Sequence, residues 1–410
     1  MRRSLPILIS LLALVTIVAA ACTSDSDGDG QAPEPLTPTS DNGSPDANGD
    51  GSALTASVSD GWSATTIGAG IKPALALDAS GSPAIVFLFE DVGEGFVTFA
   101  AAADGWTLDR LVEGYFYGPI DLAFDPQNRP NIVYHDHQAS QFRQELGDLT
   151  YALSDSSGWQ IAAVEDDGHD GWDSTIAIAA DGVVRAAGVD PSQFGGTDGV
   201  EYYELQDGTW SVTAIGSGPI PYEFNVSLAV SPDGLPALSY YDDGTGDLVF
   251  ASFDGAEWNL ETVQSEGDVG KFSSLRFDAE GRPHISFFEE LGGSSGRVLY
   301  AVRDGGAWTV EEVGTLADVR LGMTGARRNS SLALDAQGVP HVVFSDQSVI
   351  RYATRTDAGW EVQDIVTAGD RPLGQLVSLK LDGAGTPHLA FSEITNAGPL
   401  DGLIVYLTRA

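Results

Sequence analysis

The stretch Ser331–Asp346, SLALDAQGVPHVVFSD, reads as one β-hairpin, and the chain is built from copies of it. The same columns return at Ala74–Asp91, Asp121–Asp136, Thr175–Asp190, Ser227–Asp242, Ser273–Glu289 and Ser378–Glu393. One column runs Pro83, Pro130, Val184, Pro236, Pro283, Pro340 and Pro387, at spacings of 47, 54, 52, 47, 57 and 47 residues. Strand-type units recurring at a period of roughly 50 residues restrict a chain to a β-propeller rather than a helical solenoid.

Each unit holds four strands. Strand a is the SLALD type and ends in a D-A-x-G turn, as at Asp278-Ala279-Glu280-Gly281. Asp bonds its own turn backbone there, and Gly supplies the positive φ of a tight hairpin. Strand b opens on the proline, which removes one donor at a position where sheets tolerate it. Strand c is the LxYA type, as at Leu248–Ala251, and strand d carries a tryptophan.

The tryptophans set the blade count. Trp106, Trp159, Trp210, Trp258, Trp308 and Trp360 each follow a strand c. The last strand c, LIVYLTRA, has no strand d after it, and a spare strand d around Trp62 precedes the first strand a. The expectation is an all-β, seven-bladed propeller over residues 59–410, its ring closed by the Trp62 strand pairing with Gly402–Leu407. Closure of this kind leaves no open sheet edge at the seam.

Residues 1–21 read as a secretory signal: Arg2 and Arg3, an apolar run from Leu5 to Val18, then Ala19-Ala20-Ala21. The run is too short and wrongly flanked for a stop-transfer helix. Cys22 follows directly and is the only cysteine, so no intrachain disulfide forms. This junction resembles a bacterial lipobox, which implies cleavage before Cys22, its lipidation, and an exported protein anchored to the outer membrane or cell surface. Residues 22–58 then read as an Asp-, Gly-, Ser- and Pro-rich tether, too poor in apolar side chains to offset its ordering entropy. Asp25-x-Asp27-x-Asp29-Gly30 and Asp46-x-Asn48-x-Asp50-Gly51 mimic the start of a calcium loop, but Leu36 and Ser57 stand where its closing Glu belongs.

The formal net charge is −39. A surface this acidic repels nucleic acid and anionic head groups, so contact with a membrane is expected only through the lipid. A monomer is expected, since a closed ring offers no free edge.

The turn between strands c and d reads Ser154-Asp155-Ser156-Ser157-Gly158-Trp159 in one unit and Asp304-Gly305-Gly306-Ala307-Trp308 in another. It resembles the Asp-box (BNR) turn, S-x-D-x-G-x-x-W, of sialidase-like propellers. That family's resemblance implies an arginine triad gripping a carboxylate, a tyrosine nucleophile partnered by Glu, and an Asp acid/base. The chain lacks the R-I-P-type tripeptide that brings in the triad. Tyr240 or Tyr241 beside Asp242 and Asp243 mimics a nucleophile centre, although Tyr-Tyr-Asp-Asp is also plain strand-b sequence. The Asp-box itself is a structural turn and assigns no chemistry.

Loops that enter strand a and leave strand b share one face, the top, and vary in content, which makes it the candidate ligand face. Three features mark it. An acid closes every strand b: Asp91, Asp136, Asp190, Asp242, Glu289, Asp346 and Glu393. The seven carboxylates either hold a cation, basic peptide or sugar hydroxyls, or cap one loop per blade; recurrence favours the caps. A second column changes type around the ring: Ile71, Gly118, Trp172, Phe224, Lys271, Arg328 and Gln375. Trp172 with Tyr117 and Tyr222 forms an aromatic sector suited to sugar rings or peptide side chains, and Lys271 with Arg327 and Arg328 a basic one suited to a carboxylate or phosphate. Loop packing and local charge neutralisation are the competing explanation. Third, His135, Asp136, His137, His169 and Asp170 fall on the top of adjacent blades and are candidate ligands for zinc or another divalent metal. His284, His341 and His388 belong to the repeat and read as structural.

Two functions follow. The first is a membrane-anchored binding or scaffold module for a glycan or protein ligand on the top face, using residues such as Trp172, Asp242, Lys271, Glu289, Arg328 and Asp346. The alternative is a glycan-acting hydrolase or lyase of sialidase-like fold, with or without a metal.

Overall fold

The computed structural model describes residues 53–91, 94–102, 105–114, 116–136, 147–164, 171–190, 199–217, 226–292, 295–316, 330–346, 348–395 and 402–409. They form seven antiparallel sheets in a ring, each sheet one blade. Blade 1 is representative: strand a Ile71–Leu77, b Pro83–Asp91, c Glu94–Ala101 and d Thr107–Gly114, hydrogen-bonded in that order from the centre outward. Blade 7 takes strands a to c from Leu373–Leu381, Pro387–Ile394 and Gly402–Arg409, and strand d from Trp62–Ala69. Trp62 pairs with Arg409 and Ala69 with Leu403, so the expected seam is formed.

The sequence reading starts the propeller at Ser59, but the sheet begins earlier. Ser57–Val58 adds a fifth strand to the outer edge of blade 6, pairing with Thr367 and Val366. Just upstream, Glu393 Oε1 accepts hydrogen bonds from Thr55 N, Thr55 Oγ1 and Ala56 N at 3.0, 2.7 and 2.8 Å. The segment alternates apolar Leu54, Ala56 and Val58, which pack against the core of blades 6 and 7, with polar Thr55 and Ser57, but the run is too short to stand out at the end of the tether. A carboxylate more than 300 residues away holds it.

Two rings of contacts join the blades. In the first, each strand-d tryptophan meets the strand-c aromatic of the preceding blade: Trp62–Tyr352, Trp106–Tyr406, Trp159–Phe99, Trp210–Tyr151, Trp258–Tyr202, Trp308–Phe250 and Trp360–Tyr300. Centroids lie 5.1–5.3 Å apart at steep angles, the edge-to-face geometry that ring quadrupoles prefer. Each pair adds about 0.5–1.5 kcal/mol beyond its burial, and the full set gives every blade the same partner.

The second ring lines the centre. The amides of Leu75, Leu275, Leu332 and Leu379 donate to the strand-a hydroxyls of Ser378, Ser227, Ser274 and Ser331 in the preceding blade, at 3.0–3.2 Å. In blade 3 the carboxylate of Asp121 substitutes for the hydroxyl and accepts from Ile176 N and Thr175 Oγ1. These bonds satisfy strand-a donors that have no further strand to pair with.

Toward the bottom, the repeat histidines do the work expected of them. His284 Nε2 faces Asp278 Oδ2 at 3.0 Å and His284 Nδ1 lies 2.5 Å from the Tyr300 hydroxyl. A carboxylate only accepts, so the ring proton sits on Nε2 and Nδ1 accepts from the phenol. His341–Tyr352 and His388–Tyr406 repeat the 2.5 Å contact. In blade 2, Tyr151 donates to Asn131 instead. Where strand c carries phenylalanine, at Phe99 and Phe250, the position diagonally across is alanine, Ala84 and Ala237. In this column a tyrosine hydroxyl is thus present only where a polar partner is, as the cost of an unmade hydrogen bond requires.

Candidate functional site

The strand-b carboxylates reach the top rim as the repeat dictates, but the blades treat them differently. In blades 5 to 7 each is neutralised and bonded. Glu289 is buried against Arg297. Asp346 accepts from Ser348 N, Ser348 Oγ and Val349 N at 2.8, 2.5 and 3.0 Å, with Arg351 Nη1 at 3.7 Å. Glu393, 0% exposed, holds the Thr55 segment and Arg371 at 3.4 Å. These three are caps and clasps.

Blades 2 and 4 differ. Asp242 takes one loop bond, from Gly244 N at 2.9 Å. Asp136 is half-buried, and its strand partner across the hairpin is another acid, Asp148. Among the described residues, no cation lies within ion-pair distance of Asp136 or Asp242. Burial, reinforced by the negative charge of Asp148, pushes the Asp136 carboxyl up from 3.8 to about 6. The carboxyls of Asp78, Asp278 and Glu311, by contrast, are held below their ordinary range. Its Oδ1 faces blade 1, 3.6 Å from where a side chain on Gly114 would begin.

Ile71, Trp172 and Lys271 of the variable column do not line an opening. Strand a starts with a break in the ladder, between Ile71 and Ala74, Trp172 and Thr175, and Lys271 and Ser274. The residue after each column member is left-handed: Lys72, Asp173 and Phe272 have φ of 55, 54 and 56°. The glycines before them are forced by close approach, since a Cβ on Gly171 would sit 2.4 Å from Leu149 Cβ and one on Gly270 2.7 Å from Leu248 Cα. This kink turns Ile71, Trp172 and Lys271 into the gaps between blades, where all three are buried.

Trp172 therefore stacks on His135, centroids 4.5 Å apart at 35°, instead of presenting its face to a sugar. Lys271 Nζ lies 2.7 Å from Asp268 and 2.6 Å from Glu290, and 5.1 Å from the centre of the Tyr241 ring. Burial works against its charge, but the hydrogen bonds to Asp268 and Glu290 outweigh that and hold the ammonium above its usual range. The Tyr241 hydroxyl donates to Asp268 at 2.8 Å, and burial together with that bond raises its pKa far beyond a nucleophile's. Lys271 and Tyr241 thus clamp blades 4 and 5 together.

The proposed metal set is divided. Neighbours on a strand point to opposite faces. His135 enters the gap toward blade 3, where a Cβ on Gly147 would fall 2.2 Å from its Nε2, and Asp136 faces blade 1. The two do not share a metal. Among the described residues no group of three or more His, Cys, Asp or Glu side chains is placed to hold one. His137, His169, Asp170, Tyr222, Arg327, Arg328 and Cys22 lie outside the described residues, and for Tyr117 only the backbone is described, pairing with His135. No helix among the described residues is long and apolar enough to cross a membrane.

Sequence reasoning missed Asp148 and the arginines that neutralise blades 5 to 7. Arg297 and Arg351 were legible, because each sits on strand c just past the hairpin that its acid opens. Arg371 was not, since it reaches Glu393 from a loop.

With this geometry the chain is a seven-bladed β-propeller whose top-rim carboxylates are neutralised in blades 5 to 7. No family model matches it, and no curated protein matches. Solved structures do. A polysaccharide lyase, Uly1, superposes at a TM-score of 0.50 with 11% identity, over 89% of this chain and 94% of that one. A mutant of AofleA from Arthrobotrys oligospora gives 0.50 with 12% identity, over 79% and 94%. A Penicillium chrysogenum alpha-L-arabinanase complexed with arabinobiose gives 0.47 with 12% identity, over 71% and 92%. At these identities the likeness is one of fold.

Proposed function

We propose that the protein is an exported, glycan-acting propeller, a hydrolase or lyase, in which Asp136 protonates the departing glycosidic oxygen. The observation that supports this reading is the Asp136–Asp148 pair on the blade 2 rim: two acids opposed across a hairpin. Such a pair retains a proton near pH 6, where an ordinary Asp is ionised. Both hydrolysis and elimination need an acid at the leaving oxygen, so the same group serves either reaction. The sialidase-like alternative through Tyr240 or Tyr241 fits poorly, because both phenols are buried and raised.

The test is incubation of the full chain with a panel of glycans, with products followed by mass spectrometry. Gain of one water per cleavage marks a hydrolase, and an unsaturated sugar without that gain marks a lyase. Asp136→Asn should abolish turnover while leaving glycan retention intact. Turnover that survives the substitution would end the assignment of Asp136. Loss of turnover in chelator would return His135, His137 and His169 to the centre.

A second reading, a non-catalytic glycan- or protein-binding module, is supported by how many rim carboxylates serve as caps. Retention without products would establish it. In either case we place the protein outside the cytoplasm as a monomer on a Cys22 lipid, reached through the acidic tether. Cys22→Ser should release it from the membrane fraction and block incorporation of labelled fatty acid.

A further inference from the structure

Phe89 and Phe96 are partners across strands b and c at the top of blade 1, with centroids 6.2 Å apart at 29°. They lie on the same sheet face as Phe87, which packs toward blade 7. Arg110, on strand d, lays its guanidinium over them, its Cζ 4.6 Å from the Phe96 centroid and 5.9 Å from that of Phe89. The arginine is exposed and both rings are half-buried.

Arg110 is marked by the lack of an acidic partner among the described residues, which it shares with Arg409 over Trp62 and Tyr352. The chain has 59 acidic residues against 20 lysines and arginines, so an acidic neighbour is easy to find. Arg297, Arg351, Arg355 and Arg371 all have one. Arg110 has none within ion-pair distance among the described residues and instead lies over two aromatic rings. A guanidinium held over rings rather than by an acid leaves its N–H fork free to grip a carboxylate bidentately. Ring edges beside it supply the apolar surface that the C–H face of a sugar covers.

We propose that Arg110, Phe96 and Phe89 form a subsite for a carboxylate-bearing sugar, the carboxylate on the guanidinium and the pyranose face against the rings. This rests on the glycan reading above and names the substrate class, an acidic glycan. The chain's long-range field repels a densely charged polymer. The ligand is therefore a uronic acid residue among neutral sugars rather than a polyanion.

The test is calorimetric titration of the full chain with an oligosaccharide ending in glucuronic acid and with its carboxyl-reduced counterpart. The acid form should bind the wild type about tenfold more tightly than the neutral form, a typical worth for a charge-assisted bidentate contact. Arg110→Met, at an exposed position that leaves the fold intact, should erase that preference and leave neutral binding unchanged. Phe96→Ala should weaken both, with its melting curve taken alongside. Equal affinity of wild type for the two forms, or a preference that survives Arg110→Met, overturns the subsite. A glutamate-rich peptide that displaces the acid sugar and loses its grip in Arg110→Met would also overturn it, in favour of a protein ligand. If the subsite fails while Asp136→Asn still abolishes turnover, the glycan reading stands without it. If no glycan is bound or changed, both fall.

Discussion

Blades 5 to 7 and blades 2 and 4 carry the same acid at the same place, yet only the first group has made it part of the frame. Glu289, Asp346 and Glu393 each face an arginine, and two of them hold backbone donors as well. Asp136 faces Asp148, and Asp242 has a single loop amide. A recurring residue is therefore evidence of a recurring position and not of a recurring role. The role is set by what the neighbouring strand places opposite: Arg297 in blade 5, Asp148 in blade 2. An acid set opposite another acid is where function is expected, because a purely structural acid gains nothing from the repulsion.

Removing one acid from each group should move stability in opposite directions. Glu393→Gln strips a buried carboxylate from Arg371 and from the Thr55 and Ala56 donors. It should cost about 3 kcal/mol in chemical denaturation, and the outer strand Ser57–Val58 should lose its amide protection first. Asp136→Asn should instead stabilise at pH 7, by on the order of 2 kcal/mol. The sign follows from the raised carboxyl. Its contribution to stability is complete below the ordinary 3.8 and is lost as the pH rises through about 6, so a neutral amide gains only above that window. A gain equal at pH 3.5 and 7, in either direction, would show that Asp136 is not held protonated and would erase the contrast between the blades.

The histidine column permits a finer version of the same comparison. Blades 1 and 4 manage with Phe99/Ala84 and Phe250/Ala237 where blade 5 uses Tyr300/His284. Tyr300→Phe or His284→Ala alone leaves a buried polar atom unpaired and should cost about 1–3 kcal/mol. Making both changes should cost less than the sum by about 1 kcal/mol, the coupling a double-mutant cycle reads. Burial, only partly offset by Asp278, also holds His284 below its usual pKa. The folded state thus resists protonating it, and this stability is lost as the pH falls below the ordinary 6.5. The double variant should flatten that acid limb.

Most of the architecture was legible because it repeats. The hairpin and tryptophan columns each encode a contact repeated in every blade, and the histidine column one repeated in blades 5 to 7, so position in the repeat predicts position in space. The site was less legible for the same reason. Trp172 and Lys271 were read as lining the top because they break the pattern, but a left-handed residue after each turns them inward. Lys72, Asp173 and Phe272 have no type in common, and the signal lay instead in the glycine two residues before each, Gly70, Gly171 and Gly270. Glu393's hold on Thr55 joins the two ends of the sequence and follows from no periodicity. The Phe89–Phe96–Arg110 stack depends on cross-strand register, which a single strand does not reveal.

The smallest expected effect lies at the centre of the ring, where blades 1 and 6 differ by one oxygen. Ser331 accepts the amide of Leu379 in the next blade, and Ser331→Ala should cost about 1 kcal/mol, since that buried amide has no alternative partner close by. Blade 1 has Ala74 in the same column, but the amide it faces, Leu122 N, already donates to Asp121 Oδ1 at 3.0 Å. Ala74→Ser should therefore stay within about 0.5 kcal/mol of wild type. A stabilisation by Ala74→Ser as large as the loss from Ser331→Ala would mean that the Leu122 amide is unsatisfied. It would also mean that Asp121, which bonds blade 3 through Ile176 and Thr175, does not serve both neighbours at once.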